Sequence, residues 1–254
     1  MAITLKNTEQ ISLMREAGKI VAETFKLLES RIRPGVTTAE LDRLAAEFIQ
    51  SRGGKPSFLG YRGFPANICV SVNSEVIHGI PGLRRLVSGD IVSIDIGVFK
   101  NRHHADAART FAVGIISPEA NRLITVTRAS FFAGIEFAKA GRHLHEISSA
   151  VQKHAEANGY SVVREYVGHG IGSQMHEDPS IPNYKPPSRG PRLSPGMALA
   201  IEPMINAGTH EVYIKRDGWT VVTRDDKLSA HYENTVIVTA GEPELITLTG
   251  AEAA

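Results

Sequence analysis

The chain has 254 residues, long for one domain and short for two, and 42% of them are hydrophobic, as in an ordinary globular protein. Lysine and arginine (28) nearly balance aspartate and glutamate (27), so a net charge of +1 excludes any global field favouring nucleic acid or an anionic membrane as partner. No apolar run approaches the ~20 residues of a membrane span, and Cys69, the one cysteine, rules out an intramolecular disulfide and suits a reducing, cytoplasmic setting. The N-terminal residues carry no apolar core of signal-peptide length.

Thr8 predicts the cap of a helix running to about 26–28, with Ile11, Met14, Ile20, Val21 and Phe25 at its apolar positions. Pro34-Gly35 breaks the chain. Thr37-Thr38-Ala39-Glu40 then fits a capping box and opens a second helix, buried on Leu41, Leu44, Ala45, Phe48 and Ile49 and ending at Arg52-Gly53-Gly54. Strands and turns follow from about 57 to 113.

Within them, Ile94, Ile96 and Val98 alternate with Ser93, Asp95 and Gly97, the period of a strand with two unlike faces. A polar tip and a second extended run predict a hairpin. With the tip at 100–101, Asp95 would stand directly opposite Asp106, their Cβ atoms ~4.5–5.5 Å apart. Like charges so placed destabilise a sheet unless the face is wet or cations lie between them. For the hairpin alone, two solvated aspartates is the simpler reading.

The second half begins the same way. Ser117-Pro118-Glu119 predicts a helix start, with serine as cap and proline at the first position, and that helix runs to about 139. Gly141 breaks it and a further helix spans 144–157. Gly35 and Gly53, Gly141 and Gly159, and the pairs Glu40-Leu41 and Glu146-Ile147 repeat at an offset of 106 residues. Strands fill about 161–249, including a hairpin around Asp217-Gly218. The expectation is an α+β fold in a single domain, 1–254, with an internal repeat of about 8–113 and 117–249. Strands form a central sheet, helices cover one face, and the other face is left for a site.

The repeat offset carries Asp95 to 201, beside Glu202, which ends the apolar strand Met197–Ile201. A strand apolar on both faces is buried, which favours a ligand role for that carboxylate. Glu233 precedes the apolar run Val236–Val238. His169 lies among Gly168, Gly170 and Gly172, which allow close backbone approach or positive φ. His176 and His78 sit beside turns. Together these residues make a hydrolase-like set of one imidazole and four carboxylates for metals and two imidazoles for substrate.

In order and spacing, His78-Gly79-Ile80-Pro81, Ser93-Ile94-Asp95-Ile96-Gly97, Asp106-Ala107-Ala108-Arg109-Thr110-Phe111, Gly168-His169-Gly170-Ile171-Gly172, His176-Glu177-Asp178-Pro179, Ile201-Glu202-Pro203 and Tyr232-Glu233-Asn234-Thr235 resemble the type I methionine aminopeptidases of peptidase family M24. The likeness runs from the first helix to about 248 and implies the pita-bread fold. It implies removal of the initiator methionine from nascent chains with a small second residue, at or near the ribosome, by a monomer. It further implies two divalent ions, of Co, Mn, Fe or Zn type, with Asp106 and Glu233 bridging, Asp95 completing one ion, and His169 with Glu202 the other. Water activated between the ions would attack the first peptide carbonyl. Glu202 would shuttle the proton, while His78 and His176 would bind the scissile amide and stabilise transition-state charge. Tyr61, Phe64, Cys69 and Trp219 match the methionine pocket, beside Phe58 and Met175, and Asn73, Glu75 and Ser229 match a monovalent-cation site.

Ala105 and Ala140 depart from the family pattern, which often has glycine and proline there. The chain has neither the N-terminal extension of some type I members nor the large insertion of type II members, and resembles the short bacterial form. Two alternatives remain: an Xaa-Pro aminopeptidase using the same ligands, and a non-catalytic binding scaffold on the same fold.

Overall fold

The computed structural model describes residues 2–248, so the expected end of the second repeat, at 249, lies outside the described residues. Four long helices carry the packing: α1 (Thr8–Glu29), α2 (Thr38–Ser51), α3 (Pro118–Ile135) and α4 (Leu144–Ala157). The first cap is Asn7 rather than Thr8. Its side chain accepts the Gln10 N–H while the Gln10 side chain accepts the Asn7 N–H, closing a capping box. Thr37 caps α2 by accepting the Glu40 N–H, and Ser117 caps α3 with proline in its first turn. Helix α3 stops at Ile135, four residues short of the expected 139.

The repeat offset has structural counterparts. Gly35 and Gly141 both take positive φ (93° and 87°) immediately before the second helix of their half. The residues that follow, Thr37 and His143, each form an isolated antiparallel bridge, to Arg85 and Arg192. We read the two halves as a duplication within one domain.

Each helix pair buries an apolar stripe on the strands of its half. In the first half, Met14, Val21, Leu28, Leu41 and Ile49 pack on Ile94, Ile96 and Val98. In the second, Phe131, Leu144 and Ile147 pack with Leu199, Ile201, Val236 and Val238. Among the described residues the strands form four hydrogen-bonded sheets rather than one continuous sheet, and every pairing is antiparallel. The halves meet where Ala108 and Glu233 exchange backbone hydrogen bonds (3.4 and 2.9 Å). Among the described residues no helix is long and apolar enough to cross a membrane.

The hairpin of strands Ile91–Lys100 and His103–Ala112 corrects the expected register. Its tip is Asn101-Arg102, both with positive φ, and Asp95 pairs with Ala108 while Asp106 pairs with Gly97. The two-residue loop uses left-handed backbone at both positions, the turn whose twist matches that of the strands. The aspartates are therefore diagonal neighbours, not direct partners. A shift of two residues keeps both on one face, so the expected convergence survives a wrong register.

Candidate metal centre

Asp106 is fixed from behind. Its N–H donates to Thr235 Oγ1 and its carbonyl accepts that hydroxyl, both at 2.9 Å. Asp95 lies on the same face, close enough for the two carboxyl groups to share a hydrogen bond when one is protonated. Glu233 follows the strand Ser229–His231, and Arg109 donates to its carbonyl oxygen and to Asn234 Oδ1. Glu202 ends the strand Ala198–Ile201, and its carbonyl accepts from Asn183 Nδ2 at 3.0 Å. His169 lies on Gly168–Gly170, and its Nδ1 donates to the Gly170 carbonyl at 2.9 Å. A carbonyl can only accept, so the proton sits on Nδ1 and the Nε2 lone pair faces the cavity. That nitrogen is 3.7 Å from Glu202 Oε1. One ligating atom each from Asp106, His169 and Glu233 lie within 4.8 Å of one another.

All five sequence-predicted metal ligands thus line one cavity. Burial pushes the Asp95, Glu202 and Glu233 carboxyls well above the usual carboxylate range, and the charge of Asp106 adds to each shift. Burial raises Asp106 itself to about 7. Asp95 Oδ1, Asp106 Oδ1 and Glu233 Oε1 are buried without a hydrogen-bond partner. The charge of Arg109 opposes the shift of Glu233, but one arginine does not balance four carboxylates. Unpartnered buried carboxylates call for cations, and an imidazole nitrogen with four carboxylates is a donor set for divalent metal ions.

The glycines beside His169 act by close approach. None has positive φ. A Cβ on Gly168 would collide with the Ala200 carbonyl, one on Gly170 with the Asp178 carbonyl, and one on Gly172 with Lys6 and Glu177. Gly170→Ala should therefore cost about 1–3 kcal/mol in denaturant unfolding and weaken divalent-ion binding by moving His169. Unchanged stability and metal affinity would refute that role.

The wall opposite the carboxylates is aromatic. Phe58, Phe64, Cys69 and Met175 are buried in one cluster with Tyr61 and Trp219 against it. Phe64 meets Trp219 edge-on at 5.2 Å. Asp217 holds the Trp219 loop by accepting the Trp219 and Thr220 N–H groups, both at 2.9 Å. Cys69 pairs with Asp95 across the sheet, joining this wall to the ligands. Burial keeps its thiol protonated.

His176 Nδ1 lies 2.9 Å from the Tyr61 hydroxyl, its ring stacks on Tyr61 at 5.2 Å, and it meets the His169 ring at a tilt of 37° with centroids 4.0 Å apart. His78 adopts φ 58° and meets Trp219 and Tyr166 edge-on. Burial lowers His78 to about 4 and His176 to about 3, so both are neutral at physiological pH.

Sequence reasoning missed His231. It is buried, its Nε2 has no partner, and it lies 3.8 Å from Glu202 Oε2. The signal was available: in an extended run, the residue two before Glu233 shares its face. The Asn73, Glu75 and Ser229 group converges apart from this cavity. The Ser229 N–H donates to the Asn73 carbonyl. Glu75 is already paired with Lys215 at 2.6 Å and accepts the Val72 N–H. Its carboxylate is therefore engaged on both sides, and the backbone oxygens of this corner are the groups left for a cation.

The sequence profile of metallopeptidase family M24 matches residues 12–240. The chain belongs to metallopeptidase family M24. A methionine aminopeptidase of Clostridium perfringens (strain 13 / Type A) is 58% identical over 97% of this chain and 99% of its own. The solved methionine aminopeptidase of Rickettsia prowazekii is 43% identical and superposes with a TM-score of 0.95, covering 97% of this chain and all of its own. The solved Xaa-Pro dipeptidase of Bacillus anthracis is 26% identical with a TM-score of 0.78, over 96% of this chain and 62% of its own. M24 membership bears out the pita-bread expectation and implies binding of divalent metal, for which the carboxylate cluster is the candidate site.

Proposed function

We propose that this chain is a methionyl aminopeptidase that removes the N-terminal methionine of nascent proteins and peptides whose second residue is small. The observation that carries the reading is that the carboxylate cluster opens onto a cage of Phe58, Tyr61, Phe64, Cys69, Met175 and Trp219. An unbranched thioether suits such a wall, because sulfur packs favourably against aromatic edges.

Asp95, Asp106, His169, Glu202 and Glu233 are the proposed holders of two divalent ions, with Mn, Fe, Co and Zn all suited to this donor set. When bound, such ions supply Lewis acidity for polarising the carbonyl and easing deprotonation of water. Glu202 accepts the proton as the water oxygen bonds to the first carbonyl carbon. It returns a proton to the departing nitrogen as the carbon–nitrogen bond breaks. Its place beside His169, 3.7 Å from Nε2, puts the carboxylate where that proton is exchanged. With the Tyr61 hydroxyl donating to Nδ1, the neutral His176 presents Nε2–H to the scissile amide. His78, also neutral, binds the amide from the Trp219 side.

Nascent N-termini at or near the ribosome, in the cytoplasm, are the proposed setting, and a monomer the proposed state. A monovalent ion at the Asn73, Glu75 and Ser229 corner would rest on backbone carbonyls, since the Glu75 side chain is engaged. Metal-loaded protein should release methionine from Met-Ala-Ser and leave Ala-Pro-Ser intact. Cleavage of the second peptide alone would favour the Xaa-Pro alternative. No turnover of either would favour a binding scaffold.

A further inference from the structure

At the mouth of the cavity, residues Tyr61–Gly63 form a single 3-10 turn after Gly60. Gly60 and Gly63 take φ 78° and 90°, and Arg62 between them takes φ 51°. Glycine, asparagine and aspartate enter this region readily, whereas arginine does so at a cost. Turn geometry alone therefore does not account for arginine here. The Arg62 guanidinium lies over the Tyr61 ring, 5.5 Å from its centre. Tyr61 is the residue that touches His176. The cation is thus anchored on the cavity wall, although Arg62 as a whole is exposed. It is the one lysine or arginine among the described residues lining the cavity, and it has no ion-pair partner among them. Its charge reaches His176 and helps depress that imidazole.

We infer that Arg62 is a specificity-determining residue that favours substrates carrying a carboxylate two residues beyond the scissile carbonyl. The inference rests on the aminopeptidase reading. A bound peptide has its N-terminus at the carboxylate cluster and runs outward past Tyr61 and His176. An extended chain advances ~3.3–3.6 Å per residue, so the third residue lies roughly 7 Å from the first, at the rim. A carboxylate there accepts two parallel N–H bonds from a planar guanidinium, which a lysine would not offer. The same chemistry comes from two sources: an aspartate or glutamate side chain at the third position, or the terminal carboxylate of a tripeptide.

The experiment measures kcat/KM of metal-loaded protein on C-terminally amidated Met-Ala-Asp, Met-Ala-Asn and Met-Ala-Lys, and on Met-Ala-Asn with a free carboxylate. The expected order is the aspartyl amide above the asparaginyl amide by about three- to five-fold, the size an exposed ion pair supplies, and the lysyl amide below both. The free-acid asparaginyl peptide should match the aspartyl amide if the terminus serves equally, and equal the asparaginyl amide if only the side chain does. Arg62→Gln should bring the Asp/Asn ratio to about 1, and Arg62→Glu should reverse the preference towards lysine. In the wild type, raising salt should shrink the ratio, a reading that needs no variant. A wild-type ratio near 1 on both comparisons, or a ratio untouched by Arg62→Gln, overturns the inference while methionine release continues. Absence of cleavage of every peptide overturns the aminopeptidase reading and this inference with it.

Discussion

Glu202→Ala should lower kcat by about 10²–10⁴-fold while KM for Met-Ala-Ser changes by less than about three-fold. The expectation follows from where Glu202 stands. Its side chain lies 3.7 Å from His169 Nε2, among the proposed ligands, while the aromatic cage proposed to receive methionine is built from other residues. The substitution removes the proposed proton carrier and metal ligand but no part of that cage. Glu202→Gln keeps the shape and cannot take a proton. Assayed at saturating metal, a comparable kcat loss in both variants ties the effect to proton transfer. Full activity in either refutes the assignment.

Stripping divalent metal should make thermal stability fall as pH rises from about 4 to about 7, by roughly 3–6 °C per pH unit for each excess proton held by the folded chain. Asp106 is raised by burial to about 7, and Asp95, Glu202 and Glu233 are also raised. Below the unfolded-state pKa both states are protonated and the cluster costs nothing. Above it the unfolded chain releases protons that the folded chain still holds, so stability is lost as pH rises through the folded-state values. Bound metal keeps the carboxylates ionised and abolishes this slope. Scanning calorimetry with and without chelator, at pH 5 and pH 7.5, checks it. Metal should raise the melting temperature more at the higher pH, and an equal gain at both would contradict the account.

Much of this was legible in the sequence because it depends on periodicity. The alternation around Asp95 put the carboxylate opposite the apolar face that α1 and α2 cover. The offset of 106 pointed from Asp95 to within one residue of Glu202. The hairpin register was not legible, because tips at 100–101 and 101–102 are both polar and only backbone conformation separates them. The division of strands into four sheets depends on twist and bulges, which single residues do not encode. Asn7 was overlooked as a cap because Thr8 is equally competent. The pairing of Glu75 with Lys215 joins residues 140 apart in sequence, and no local pattern announces it.

The proposed ligands come from both halves: Asp95 and Asp106 from the first, His169, Glu202 and Glu233 from the second. Chain order therefore becomes an order in time. While a ribosome is still making the protein, the two aspartates have been synthesised but their partners have not. A lone pair of aspartates is a weak site. The proposed set is complete only with Glu233, whose backbone hydrogen bonds to Ala108 join the halves. On the proposed assignment, such an enzyme cannot capture its metals, or cut a neighbouring chain, before Glu233 has been translated.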